Sequence, residues 1–80
     1  MVLVIDIGNT NIKIGFFKDD YLVVSGRLAT HYRRTSDEYG LLITNLITIN
    51  NFTVKDIKGI IISSVIPDLN YTFEHMCSFY

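Results

Sequence analysis

Cysteine is almost absent from this 80-residue chain: Cys77 is the single one. No internal disulfide and no cysteine-rich zinc site can form, and a small residue packed on a helix is the simpler role for it. An excess of either charge is also missing. Seven basic and eight acidic side chains leave a formal net charge of −1, which gives no electrostatic case for nucleic acid or an anionic membrane. No apolar run reaches membrane-spanning length, and no basic segment followed by an apolar core reads as an export signal. The expected compartment is therefore a reducing cytoplasm, where the sequons at Asn51 and Asn70 carry no weight. Internal repeats, low-complexity tracts and linkers are lacking. No Gly-Lys-Ser/Thr leads into a helix, which excludes a Walker loop. A hydrophobic content of 49% with 19% charged residues is that of a globular chain. At this length it forms one domain at most, with little stability to spare.

What is present is concentrated near the amino end. Residues 1–5 form a near-continuous aliphatic stretch, which reads as a strand buried on both faces of a sheet. It stops in Asp6-Ile7-Gly8-Asn9-Thr10-Asn11-Ile12-Lys13. Asp6 falls where that strand should leave the core. Gly8 permits a positive φ, and also the close approach of a second backbone or a ligand. Asn9, Thr10 and Asn11 bring amide and hydroxyl donors. Alternation then resumes with Ile12, Ile14 and Phe16. A donor-rich turn with a carboxylate at its mouth and an ammonium at Lys13 suits the terminal phosphates of a nucleotide. N–H groups cradle phosphate oxygens, Asp6 holds Mg²⁺ through its waters, and Lys13 offsets phosphate charge. An ordinary hairpin, whose Asn and Gly serve only the turn, fits the same residues equally well.

Along the chain, residues 1–7, 11–17 and 21–28 read as three strands of an antiparallel meander, with a charged turn at Lys18-Asp19-Asp20. Residues 29–34 have no periodicity and read as loop. Thr35 and Glu38 form a capping box with acids in the first turn. Tyr39, Leu42, Ile43, Leu46 and Ile47 follow at helical spacing, and the helix fades near Asn50 and Asn51. Residues 59–63 are a short apolar strand, expected beside the first and parallel to it. Pro67 opens a last helix carrying Leu69, Phe73, Met76 and Tyr80. A parallel pair brings Asp6 and Ser63-Ser64 to the same edge, where α/β sheets bind ligands. A strand-to-helix turn whose serines merely cap is the simpler account of that second stretch. Arg33 and Arg34 are most simply solvated, with Arg34 also able to pair with an acid or meet a subunit interface. His31 and His75 lack any metal-ligand spacing.

Three stretches in this order resemble one family. Asp6-x-Gly8-Asn9-Thr10-Asn11, Arg34-Thr35-x-Asp37-Glu38-Tyr39-Gly40 and Ile62-Ser63-Ser64-Val65-Ile66-Pro67 are similar to motifs of the type III pantothenate kinases. That family belongs to the superfamily of acetate and sugar kinases, heat-shock chaperones and actin. The resemblance implies an α/β fold, the ribonuclease-H-like half-domain of actin-like ATPases, with a mixed sheet in strand order three-two-one-four. It implies ATP phosphates on Asp6, Gly8, Asn9, Thr10, Asn11 and Lys13, with the metal near Asp6. Ser63 and Ser64 would border the pantothenate pocket. The implied cofactors are ATP, Mg²⁺ and a monovalent cation, K⁺ or NH₄⁺, and the implied assembly is a homodimer. The implied reaction is phosphorylation of pantothenate to 4′-phosphopantothenate, which opens coenzyme A synthesis. A regulatory protein of the same family, of the Bvg accessory factor type, carries the same motifs. The Arg34-to-Gly40 match speaks against a polymerising actin-like protein.

The family's general base, second phosphate motif and adenosine loop are expected beyond Tyr80, so no catalytic residue is assigned here. The chain then corresponds to the amino-terminal part of the first of two domains. Alone, it is expected to show no ATP-dependent phosphorylation of pantothenate. Turnover by the purified 80-residue chain in a coupled assay would overturn this.

Overall fold

A computed structural model describes residues 1–30, 34–65 and 67–79. Expectations placed on His31, Arg33, Ile66 and Tyr80 lie outside the described residues.

Alternation builds the sheet. β1 (Val2–Ile7) turns Leu3, Ile5 and Ile7 to one face, and β2 (Asn11–Lys18) turns Ile12, Ile14 and Phe16 to the same face; all six are buried. β3 (Tyr21–Ala29) follows a tight turn in which Asp19 takes a φ of 55°, a conformation that Asp tolerates better than most residues. A bulge between Phe16 and Phe17 shifts the β2–β3 register by one residue, which sharpens the local twist. β4 (Gly59–Ser64) pairs with β1 in parallel. The order is β3-β2-β1-β4, a mixed sheet of four strands, as the sequence pattern requires.

Two helices close one side. α1 (Ser36–Ile49) starts at the anticipated capping box: Glu38 N–H donates to Thr35 Oγ1 at 3.2 Å, and Thr35 N–H donates to Glu38 Oε1 at 2.9 Å. These bonds occupy amides that the first helical turn cannot pair internally. Tyr39, Ile43 and Ile47 then face the sheet. Leu46 packs over Gly26 of β3, where a Cβ would come within 2.8 Å of Leu46 Cδ2. α2 (Pro67–Phe79) contributes Leu69, Phe73 and Met76 to the same core. The Tyr39 and Phe73 rings meet at a centroid distance of 4.5 Å, tilted by 38°. Cys77 packs half-buried beside this core, and burial, with a smaller contribution from Glu74, pushes its thiol pKa up. No described helix is long and apolar enough to cross a membrane. Between the helices lies a single 3-10 turn (Val54–Asp56) that periodicity does not reveal; Asp56 Oδ2 accepts from Thr53 N–H at 2.8 Å.

One expectation fails. Neither β1 nor β4 is buried on both faces. Val2 and Val4 are half-buried, Asp6 is exposed, and Ile60 and Ile61 retain 40% and 57% of their exposure. Ile60 pairs with Leu3 on the helix side and owes its exposure to the sheet edge; for Val2, Val4 and Ile61, on the other face, the reason is topological. Apolar runs in parallel strands become covered on both sides when helices flank both faces; α1 and α2 pack against the same face and against each other.

β4 is thus an apolar edge strand with no Pro or Lys within it. Such an edge templates pairing with another chain. The 80-residue chain by itself is expected to self-associate at micromolar concentration, and Ile61→Lys is expected to shift it toward monomer. Sedimentation velocity reads both; a compact wild-type monomer would refute the role assigned to this edge.

Candidate functional site

The parallel pairing brings the carboxyl ends of β1 and β4 together, the place where open α/β sheets hold ligands. The β1–β2 turn emerges here. Gly8 N–H donates to Asn11 O at 2.9 Å and closes it. Of the two freedoms that glycine permits here, Gly8 does not use a positive φ. What the turn requires of residue 8 is space: a Cβ would sit 3.0 Å from the Asn11 carbonyl oxygen. Asn9, Thr10 and Asn11 are all exposed along this turn.

The ladder fixes what stands beside it. Asp6 lies opposite Lys13 on β2 and opposite Ser63 on β4, and Lys13 lies opposite Arg27 on β3. These four form one row across the sheet, on the face turned away from the helices. Asp6, Lys13 and Arg27 line a depression of about 460 Å³ floored by Val4, Gly15 and Phe17. Among the described residues these three charged groups form no ion pair. The row therefore offers one carboxylate and two cations without an ion-pair partner among the described residues.

Two further segments are tied to the turn. Thr30 donates twice, from Oγ1 to Gly8 O at 2.9 Å and from its N–H to Thr10 O at 3.0 Å. Val65 N–H donates to Ile7 O at 3.1 Å, fastening the segment after β4 to the end of β1. Arg34 is neither simply solvated nor paired with an acid. Its Nη1 donates to Ala29 O at 3.3 Å and its guanidinium lies 5.4 Å from the Tyr39 ring centroid, joining the end of β3 to the start of α1. Ser36 Oγ and His75 Nδ1 approach to 3.1 Å, which gives His75 a place in the helix–helix contact. No three His, Cys, Asp or Glu side chains gather as a metal cage among the described residues. Asp6 as a lone carboxylate fits a cation held mainly through water and phosphate oxygens, the habit of Mg²⁺.

A profile of the type III pantothenate kinase family matches residues 2–80. The chain belongs to this family. It is also similar to the type III pantothenate kinase of Listeria innocua, with 47% identity over 77 residues, which is 96% of this chain. It spans about 30% of that relative's length. Sequence reasoning missed two residues beside the turn: Thr30, which is tied to it, and Arg27, which lies opposite Lys13. Thr30 falls in a stretch with no periodicity, and its signal is a donor one residue past the end of a strand. Arg27 reads as an ordinary exposed position until the register sets it beside Lys13.

Thr30→Val keeps the shape of the side chain and removes its donor to Gly8. The expected cost is about 1 kcal/mol of stability, together with faster hydrogen exchange at the Gly8 amide. Denaturant unfolding and amide exchange check this, and an unchanged Gly8 amide would show that Thr30 does not hold the turn.

Proposed function

We propose that this chain supplies the ATP-phosphate half of an enzyme that phosphorylates pantothenate, the first committed step toward coenzyme A. The fold would be one ribonuclease-H-like half-domain of the actin-like kind. The observation that carries the reading is the row of Asp6 and Lys13 beside the closed turn at residues 8–11. Exposed donors, one carboxylate and one ammonium converge where parallel strands end.

Phosphoryl transfer depends chiefly on positioning and on neutralising charge that spreads over the phosphate oxygens. Backbone and side-chain groups of Gly8, Asn9, Thr10 and Asn11 would donate to those oxygens, in the manner of an anion-binding nest. Lys13 would approach the same oxygens as a compact point charge. Asp6 would orient metal-bound water. The chemistry that Mg²⁺ supplies when bound is charge neutralisation across neighbouring phosphates. Tight closure of the turn, with Thr30 behind it, pre-sets the donors, so that little reorganisation accompanies binding. Ser63, opposite Asp6, stands toward the side from which an acceptor hydroxyl would approach. The monovalent cation and the homodimer rest on family kinship alone, the cytoplasmic location on the reading of the sequence, and no residue of this chain is assigned to them.

The test uses the full-length enzyme that carries this chain. Asp6→Asn is expected to lower kcat/KM roughly 100-fold while leaving stability within about 0.5 kcal/mol, because Asp6 is exposed. Lys13→Met is expected to raise the KM for ATP about tenfold, the scale of one lost charged hydrogen bond. Steady-state kinetics with a thermal melt separates the two effects. Normal turnover by a folded Asp6→Asn enzyme would overturn the assignment.

A further inference from the structure

We infer that Arg27 is a second cationic arm of the phosphate site, gripping the nucleotide's polyphosphate together with Lys13. The inference rests on the phosphate reading of the β1–β2 turn and extends it to a residue of β3.

Three observations carry it. First, Arg27 and Lys13 are direct partners across the β2–β3 ladder. Like charges in that relation destabilise a sheet. Second, among the described residues no acidic side chain flanks Arg27 on its own strand or across the ladder. β3 is an edge strand, and its same-face neighbours Ser25 and Ala29, with Asn11 and Gly15 across the ladder, carry no charge. Asp6 lies on the far side of Lys13. Third, Asp6, Lys13 and Arg27 line the same depression, so a polyphosphate chain that reaches past Asp6 into it meets both cations. A polyphosphate there neutralises both at once.

The geometry also assigns different work to the two cations. Lys13 flanks Asp6 and the turn. Arg27 stands two strand spacings from Asp6, roughly 10 Å, on the far side of the depression that both residues line. A planar guanidinium grips two phosphate oxygens side by side, which an ammonium cannot do. The outlying position therefore suits Arg and the close one suits Lys.

The experiment compares Arg27→Gln, Arg27→Lys and Lys13→Met in the full-length enzyme. Inorganic tripolyphosphate is titrated calorimetrically without metal, and the KM values for ATP and for the acceptor are measured alongside. Arg27→Gln is expected to weaken tripolyphosphate about tenfold and to raise the KM for ATP by a similar factor. The acceptor KM should stay unchanged. Its melting temperature should be equal to wild type or higher, since a like-charge contact is gone. Arg27→Lys should recover part of the affinity. If Arg27→Gln binds tripolyphosphate as wild type does while Lys13→Met does not, the role of Arg27 is refuted and the phosphate reading stands. If both variants bind as wild type does, the phosphate reading falls with it.

Discussion

The register of β1 is the constraint on which the site depends. Asp6 is flanked in sequence by Ile5 and Ile7, both fully buried. Side chains alternate strictly along a strand, so a slip of one residue would drive Asp6 into the core and put both isoleucines in water. Each isoleucine is worth about 1.5–3 kcal/mol when buried, and an unpaired carboxylate in the core would add a further penalty. The same logic holds for Lys13 between Ile12 and Ile14. Core burial alone therefore aims a carboxylate and an ammonium at the same side of the sheet. No interaction between the two charges is needed to place them.

Around that row the backbone is pinned from three directions. Gly8 closes its own turn on Asn11, Thr30 holds it from the end of β3, and Val65 holds the end of β1 from the segment after β4. Gly8 and Val65 each contribute one hydrogen bond and Thr30 two, all of modest net worth. Their number matters more than their strength, because they restrain one short turn from separate strands. The helices stay on the opposite face, where Tyr39 and Phe73 join α1 to α2. The apolar core and the charged row are thus divided between the two faces of one sheet.

Much of this was legible in the residues. Strict alternation at Ile12, Ile14 and Phe16 announces β2. Thr35 with Glu38 announces the start of α1, and a wholly apolar segment after that helix announces a parallel strand. Local chemistry decides each of these. What stayed hidden depends on tertiary context. Gly8 can serve a turn through φ or through space, and only the position of the Asn11 carbonyl decides between them. The apolar run of β1 says that its residues favour burial, but not which layer covers the second face. Thr30 and Arg34 act through backbone carbonyls, which leave no trace in side-chain patterns. The Lys13–Arg27 juxtaposition needs the register, and the bulge at Phe16 and Phe17 makes that register hard to count from the hairpin turn. Asp6 and Lys13 were singled out by type and spacing; their alignment in one row is a property of the ladder.

The sheet face away from the helices also has a direction. Its row at the amino end of β1 is Val2 with Phe17 and Gly59. The next is Val4 with Gly15 and Ile61, and the last is Asp6 with Lys13, Ser63 and, beyond Lys13, Arg27. Covering the first two rows removes apolar surface from water and is favourable. Covering the third strips water from three ions and is costly unless the covering body brings matching charge. The free energy of enclosing this face therefore changes sign within a few residues along the strand axis. An apolar body laid on this face would settle toward one end and stop short of the other, leaving the ions at the carboxyl end of β1 in water.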